Sequence, residues 1–195
     1  MTFWRYPANL LAIVLVASVA GCAEQIVREE VDTTRLPIAQ TERGVMIWLP
    51  EQVQFDTGKS DFDLIQAKPH LNKLARLLQE KTDNSILIEG HTDDVGSAEF
   101  NVQLSLRRAE AVRLALIQRG IAKERLKVSG YGRARPIAPN DTEVGRTLNR
   151  RVELIVQNET VENISRDEPA NSFEAAFDKL KELFGQAIPK SHTND

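Results

Sequence analysis

The fold is decided by residues 91–120, which have the sequence HTDDVGSAEFNVQLSLRRAEAVRLALIQRG. This stretch predicts a loop followed by one long helix. One face of that helix is marked by three- and four-residue spacing, and it carries Asn101, Leu104, Arg108, Ala111, Val112 and Ala115. Arg108 therefore lies on the apolar stripe, whereas Arg107 faces solvent. A guanidinium on an inward face needs a carboxylate, either from the protein or from a bound ligand.

A second inward arginine is predicted near residue 150. The sequence of residues 149–156, NRRVELIV, predicts a strand. Strand alternation then places Arg150 on the inward face, and Arg151 with Glu153 on the opposite face. Together with Asp93 in the loop, the two inward arginines predict a small polar site with both signs of charge. An internal Asp–Arg ion pair that fixes the helix against the sheet is the alternative, and spacing alone leaves both open.

A long series of landmarks runs through the sequence in a fixed order. They are Thr92, Asp93, Gly96, Asn101, Leu104, Ser105, Arg108, Ala109, Gly120-Ile121, Arg125, Gly130-Tyr131-Gly132, Pro136, Asn140, Gly145-Arg146 and Asn149-Arg150-Arg151-Val152-Glu153. Over about residues 44–157 the sequence resembles the OmpA-like peptidoglycan-binding family. The resemblance implies an α/β fold of the α+β sandwich type, with a mixed sheet of about four strands backed by helices in the order β-α-β-α-β-β. It also implies a ligand, the peptide stem of peptidoglycan held at its diaminopimelate residue.

The resemblance assigns roles to individual residues. Diaminopimelate ends in an ammonium and a carboxylate on one carbon. Asp93 would accept from the ammonium, Arg108 would take the carboxylate in a paired geometry, and Arg150 would supply further donors. The other residues expected to line or border the site are Thr92, Asn101, Leu104, Asp56 and Thr57. No metal and no cofactor is expected.

The N-terminus predicts export and a lipid anchor. Residues 1–21 have a positive charge at Arg5 and an apolar run at 10–20, which is too short to span a bilayer that needs about 20 residues. The segment is typical of a secretory signal. It ends in Val19-Ala20-Gly21-Cys22, which resembles a bacterial lipobox and contains the only cysteine of the chain. We therefore expect Cys22 to be acylated, and Ala23 after it implies the outer membrane, facing the periplasm.

The remaining organisation is inferred from composition and periodicity. Residues 22–43 predict a lipidated, flexible tether, and residues 44–157 the binding domain, with strands at 45–49, 53–55, 85–89 and 126–131. Residues 64–78 predict an amphipathic helix in which Pro69 marks either the first turn or a break. A long loop is expected before the last strand. At 195 residues with 42% hydrophobic content, the chain can build one modest core.

The C-terminal segment, residues 158–195, predicts a charged linker followed by an amphipathic helix. Its apolar stripe consists of Phe173, Ala176, Phe177, Leu180, Leu183 and Phe184. This helix either packs on its own domain, or docks on a partner or on the same helix in another copy of the chain. Residues 170–188 are the candidate surface for a partner.

Two other function classes are weighed against binding of the cell wall. Residues 105–151 contain twelve basic and four acidic residues, a net of +8 in a chain of net charge −3, and such a patch could attract nucleic acid. Export and the scarcity of interleaved aromatics argue against nucleic acid. His91, Asp93 and Asp94 could in principle serve catalysis or a metal, but no nucleophile with a base is evident, because Ser97 and Ser105 fit a helix start and a helix surface. We expect a non-enzymatic lipoprotein that tethers the outer membrane to peptidoglycan. The alternative is one that also recruits a periplasmic or inner-membrane signalling or assembly partner.

Overall fold

The described part of the protein contains six strands, four α-helices and a short 3₁₀ helix at Lys123–Arg125. The computed structural model describes residues 35–50, 64–169 and 172–175. In chain order the elements are β1 (Leu36–Thr41), β2 (Gly44–Pro50), α1 (Leu64–Glu80), β3 (Ile86–Gly90), α2 (Ala98–Ile117), β4 (Leu126–Gly130), α3 (Glu143–Asn149), β5 (Arg151–Gln157), α4 (Val161–Ser165) and β6 (Phe173–Ala175).

The strands form one mixed sheet in the order β4-β3-β5-β2-β1-β6. The pairs β3/β4 and β1/β6 are parallel, and the other neighbours are antiparallel. This confirms the expected fold class of a mixed sheet backed by helices. The sheet has six strands instead of about four, because β1 and β6 lie in segments that were expected to be a tether and a helix.

The main core lies between one face of the sheet and helices α1 and α2. Apolar residues at alternate positions of the strands pack there against the apolar faces of the two helices. The buried core residues include Ile47, Leu74, Leu77, Leu78, Ile86, Ile88, Val112, Leu116, Leu154 and Val156. On the opposite face of the sheet, Trp48 packs against Ala138 and Leu148, so α3 and the loop before it cover part of that face.

Helix α2 approaches the ends of β3 and β4 very closely. A Cβ atom at Gly90 would lie 2.0 Å from the backbone oxygen of Ser105, so no other residue fits at this position without moving the helix. Ser105 itself is fully buried, and its hydroxyl accepts from Gly132 N–H and donates to the carbonyl of Val102. The assignment of Ser105 to the helix surface is therefore wrong, because strand ends cover that side of α2.

The segment predicted as a tether contributes a strand. β1 pairs antiparallel with β2 and parallel with β6, and Leu36 in it is fully buried. Residues 36–41 are therefore part of the folded domain, which begins before residue 44. The sequence of β1 shows no clear periodicity, and these residues form a strand because they pair with strands on both sides.

The beginning of the predicted C-terminal helix is also a strand. Residues 173–175 form β6, Leu36 N–H donates to the carbonyl of Ser172 at 3.1 Å, and Phe173 packs against the main core. Helical spacing at Phe173 is overridden by this parallel pairing with β1. Residues 176–195 lie outside the described residues, so the helix beyond residue 175 and partner docking through residues 170–188 stay predictions.

The other secondary-structure predictions fare differently. α1 begins at Leu64 and continues through Pro69, which is neither in the first turn nor a break. The strand predicted at 53–55 lies outside the described residues, as do the apolar run 10–20 and Cys22. Across the ranges that the structure describes, no helix combines the length and apolar character needed to cross a bilayer.

Candidate functional site

A cavity of about 280 Å³ lies between the β3–α2 loop, the first half of α2 and α3. Its walls bring together residues that are up to 58 positions apart in sequence, from residue 92 to residue 150. The lining residues are Thr92, Asp93, Val95, Phe100, Asn101, Leu104, Arg108, Glu143, Arg146 and Arg150.

The loop that carries Asp93 is held by side-chain hydrogen bonds. The amide of Asn101 donates to the carbonyl of Val95 at 3.0 Å and to that of Asp93 at 3.4 Å. Val95 N–H donates to Asp93 Oδ1 at 3.2 Å, and Thr92 N–H donates to the carbonyl of Gly132 at 2.9 Å. Asn101 thus fixes the loop as well as lining the cavity, and Asp93 is presented in one defined position.

Arg108 lies deep in the cavity wall. Its exposed fraction is 1%, so the inward orientation inferred from helical spacing is confirmed. Leu104, one turn earlier on α2, is also buried and lines the same wall. Because the Arg108 guanidinium is this deeply buried, it can contact only a ligand that enters the cavity.

Arg150 reaches the cavity by a different route from the one predicted. It caps the C-terminus of α3, a helix that lies where a loop was expected, and β5 begins only at Arg151. Thr142 starts α3 by accepting the N–H of Gly145 at 3.1 Å. The assignment of Arg150 to the inward face of a strand is therefore wrong, yet its Nη1 lies 2.9 Å from Asp93 Oδ2.

Two charged residues of α3 complete the rim. Glu143 Oε1 accepts from Arg150 Nη2 at 2.9 Å, and Glu143 Oε2 accepts from Arg146 Nη2 at 2.7 Å. The hydrogen bonds from Arg150 and then Arg146 lower the pKa of the Glu143 carboxyl, so it is anionic at neutral pH. The cavity lining therefore carries two carboxylates and three guanidinium groups.

The structure brings together most of the residues predicted for the site. Six of the eight line this cavity, and they are Thr92, Asp93, Asn101, Leu104, Arg108 and Arg150. The other two, Asp56 and Thr57, lie outside the described residues. Sequence reasoning missed Val95, Phe100, Glu143 and Arg146 as lining residues. For Arg146 a signal was present, since Gly145-Arg146 is one of the landmarks.

A second cluster of charges lies on the opposite face of the sheet. Arg151, predicted to lie with Glu153 on the opposite face of the strand from the core, is only 3% exposed, and its Nε lies 2.7 Å from Glu153 Oε1. Glu89 lies on the neighbouring strand β3, and Arg43, in the turn between β1 and β2, binds both of its oxygens, at 2.6 and 3.1 Å. Arg151 is buried because this face is covered, which alternation along a single strand could not show.

This second cluster includes Glu89, His91 and Glu153, whose ligand atoms lie within 4.8 Å of one another. The donor types would suit a metal ion. However, Arg43, Arg135 and Arg151 already neutralise the two carboxylates, and three cations next to the site oppose a dication. We therefore assign this cluster to structure. His91 is not among the residues that line the cavity, so the two sites do not form one catalytic constellation.

Part of the basic segment is neutralised by carboxylates that lie outside residues 105–151 and are not counted in its net charge. Arg135 pairs with Glu89, Arg150 with Asp93 and Arg151 with Glu153. Such local pairing leaves less free positive charge than the net of +8 suggested, which weakens the case for nucleic acid.

This fold and this site define a class of protein: an α+β domain with a cavity that carries both signs of charge. The chain belongs to the OmpA family, whose model matches residues 54–150. It is 30% identical over 160 residues to the outer-membrane lipoprotein YfiB of Pseudomonas aeruginosa, covering 77% of this chain and 95% of that one. It is 31% identical over 147 residues to the peptidoglycan-associated lipoprotein of Mesorhizobium japonicum, covering 73% and 87%.

A solved structure shares the fold. The cell wall anchor of the T6SS from Pseudomonas aeruginosa superposes with a TM-score of 0.56 at 26% identity, over 63% of this chain and 87% of that chain. Other curated relatives are longer, and the chain spans only 14–59% of the length of six of them. What the chain shares with those six is therefore one part of each.

Proposed function

We propose that this protein is a non-catalytic outer-membrane lipoprotein that binds the diaminopimelate-containing stem of peptidoglycan and ties the outer membrane to the cell wall. The observation that carries the proposal is the cavity that holds Asp93, Arg108 and Arg150 together. Its support from similarity is membership in the OmpA family and the names of two relatives, an outer-membrane lipoprotein and a peptidoglycan-associated lipoprotein.

The ligand chemistry follows from the charges on the walls. Asp93 uses one oxygen for Val95 N–H and the other for Arg150, and a carboxylate has about four acceptor positions, so the ligand ammonium can bind without displacing either donor. The ligand carboxylate then faces Arg108, whose planar donor pair fits a carboxylate.

Arg150 holds the two acidic residues of the cavity in place. It bridges Asp93 and Glu143 and also donates to the hydroxyl of Thr147 at 2.8 Å. The acidic side of the site is therefore arranged before the ligand arrives, and less binding free energy is lost in ordering it.

The test of this proposal compares two cell walls that differ at the third stem residue. We refer to the protein without residues 1–22 as the soluble domain. We expect the purified soluble domain to sediment with sacculi that contain meso-diaminopimelate and not with sacculi that contain lysine there. Lysine lacks the terminal carboxylate, so it would give the Arg108 guanidinium no ligand carboxylate to bind. Equal sedimentation with both walls, or with neither, would contradict the proposal.

The lipid anchor is proposed from the sequence motif at Cys22. Replacing Cys22 by serine should abolish incorporation of a radiolabelled fatty acid and leave the protein unprocessed or released from outer-membrane vesicles, because no thiol remains to be acylated. Ser18→Ala, just outside the motif, is the matched control and should be labelled as the natural chain is. A natural chain that incorporates no fatty acid would overturn this part of the proposal.

A further inference from the structure

Apolar side chains form part of the cavity rim. Five large hydrophobic residues of the described chain are more than a third exposed, and they are Val95, Phe100, Val102, Leu114 and Ile137. Only two of these five line the cavity, namely Val95, which is 65% exposed, and Phe100, which is 50% exposed. We refer to this pair as the apolar shelf. Exposed apolar side chains at the edge of a polar pocket are suited to pack against an apolar part of the bound ligand.

The apolar shelf is fixed relative to the charged part of the cavity. Phe100 N–H donates to the hydroxyl of Ser97 at 3.1 Å, which caps the start of α2. The carbonyl of Val95 accepts a hydrogen bond from the Asn101 amide, and the N–H of Val95 donates to Asp93 Oδ1. A ligand that is held by Asp93 and Arg108 therefore meets the apolar shelf at a constant position.

Charge decides which part of a peptidoglycan stem fits there. Asp94 precedes Val95 and Glu99 precedes Phe100, and both acidic residues are exposed. Next to them, the free carboxylate of the D-glutamate that precedes diaminopimelate would be repelled. The residue that follows diaminopimelate is D-alanine, whose side chain is an uncharged methyl group and whose carboxyl group is also uncharged where it forms an amide bond in a cross-link or a longer stem.

The geometry points to the apolar shelf as a subsite for the D-alanine methyl group at the fourth position of the stem. This inference rests on the proposed function, because it needs diaminopimelate in the neighbouring cavity. It adds a second recognition element to the cavity, one that senses whether the fourth residue of the stem carries a methyl group.

The experiment compares two sugar-free tetrapeptides by calorimetric titration of the soluble domain. Both contain L-alanine, D-glutamate and meso-diaminopimelate, and they end in the C-terminal amide of either D-alanine or glycine, so neither has a terminal carboxylate that Asp94 and Glu99 would repel. We expect the D-alanine peptide to bind about fourfold more tightly, since one methyl group is covered. Phe100→Ala should remove this preference and bind both peptides with about the affinity that the natural chain has for the glycine peptide.

Leu114→Ala is the matched control. Leu114 is 48% exposed and lies on the same helix but does not line the cavity, so its replacement should keep the fourfold preference. Free meso-diaminopimelate serves as a third ligand, and the natural chain and Leu114→Ala should bind it with equal affinity.

The outcomes separate the two proposals. If the natural chain binds the tetrapeptides without preferring D-alanine, or Phe100→Ala retains the preference, the subsite is overturned while the proposed function stands. An effect of Phe100→Ala that is confined to muropeptides carrying the disaccharide would assign the apolar shelf to sugar and also overturn it. If the natural chain binds none of these ligands, both proposals fail.

Discussion

Asp93→Asn and Arg108→Lys are each expected to remove most of the binding to sacculi that contain meso-diaminopimelate. Truncating or mismatching one partner of a buried, hydrogen-bonded charge pair costs roughly 2–5 kcal/mol, which is about thirtyfold to several thousandfold in affinity. Asparagine keeps an acceptor for Val95 N–H but cannot neutralise an ammonium. Lysine keeps the charge but loses the planar donor pair that fits a carboxylate.

The chain offers a neighbouring control for each variant. Asp94 follows Asp93 and Arg107 precedes Arg108, and both are exposed and do not line the cavity. The variants Asp94→Asn and Arg107→Lys should therefore bind as the natural chain does. Binding is measured by sedimentation with sacculi, and folding by circular dichroism. If Asp93→Asn and Arg108→Lys stay folded and sediment at the natural level, the assignment of the cavity is wrong.

The ion-pair alternative makes a different prediction for the same variants. Asp93 is paired with Arg150, so an internal structural pair does exist in the protein. If that pair served only the fold, Asp93→Asn would lower the melting temperature, and free diaminopimelate would not raise it in the natural chain. If the cavity is a binding site, free diaminopimelate raises the melting temperature of the natural chain, since a ligand that binds only the folded state stabilises it.

Local periodicity predicted the helical part of the site and little of the rest. The spacing around Arg108 was sufficient because α2 is long and its buried face follows one rule over five turns. Arg150 was assigned to a strand because NRRVELIV alternates, although a short helix ends one residue before it. Short helices such as α3 are set by their caps and by the surfaces they cover, which no periodic pattern shows.

The burial of Arg151 and Ser105 could not be inferred from their own elements. Arg151 is covered because Tyr131 and Arg135 follow β4 and lie over the same face as Glu89 and Glu153. Ser105 is covered because glycines at two strand ends admit α2. In both cases the decisive neighbour is distant in sequence, so only the assembled sheet reveals it.

The second large effect is expected from pH, through His91. This imidazole is 1% exposed and stacks on Tyr131 at a centroid distance of 5.6 Å. Among the described residues, neither nitrogen has a hydrogen-bond partner, and the nearest carboxylate oxygen, Glu153 Oε2, lies 3.8 Å from Nε2. Burial, and then the charges of Arg151, Arg135 and Arg43, lower its pKa to about 3. The neutral ring is thus strongly preferred in the folded state.

The sign of the effect follows from proton uptake. In the unfolded chain a histidine has its ordinary pKa of about 6.5, so between pH 6.5 and 3 the unfolded chain binds a proton that the folded chain does not. The contribution of His91 to the free energy of unfolding should therefore be fully present above about pH 6.5 and decrease as the pH falls. The slope approaches about 1.4 kcal/mol per pH unit, and the loss between pH 7 and pH 4.5 is roughly 2–3 kcal/mol.

His91→Phe should remove this component of the pH dependence while keeping an aromatic ring stacked on Tyr131. The measurement is urea unfolding of the soluble domain at pH 7, 5.5 and 4.5, for the natural chain and the variant. Glu143, Glu159 and Glu168 also have lowered pKa values, so their contributions to stability are lost in acid too, but they are present in both proteins and cancel in the difference. The natural chain should lose roughly 2–3 kcal/mol more than His91→Phe over this range. Parallel curves for the two proteins would mean that His91 takes up its proton equally well in the folded chain, contrary to its burial beside three arginines.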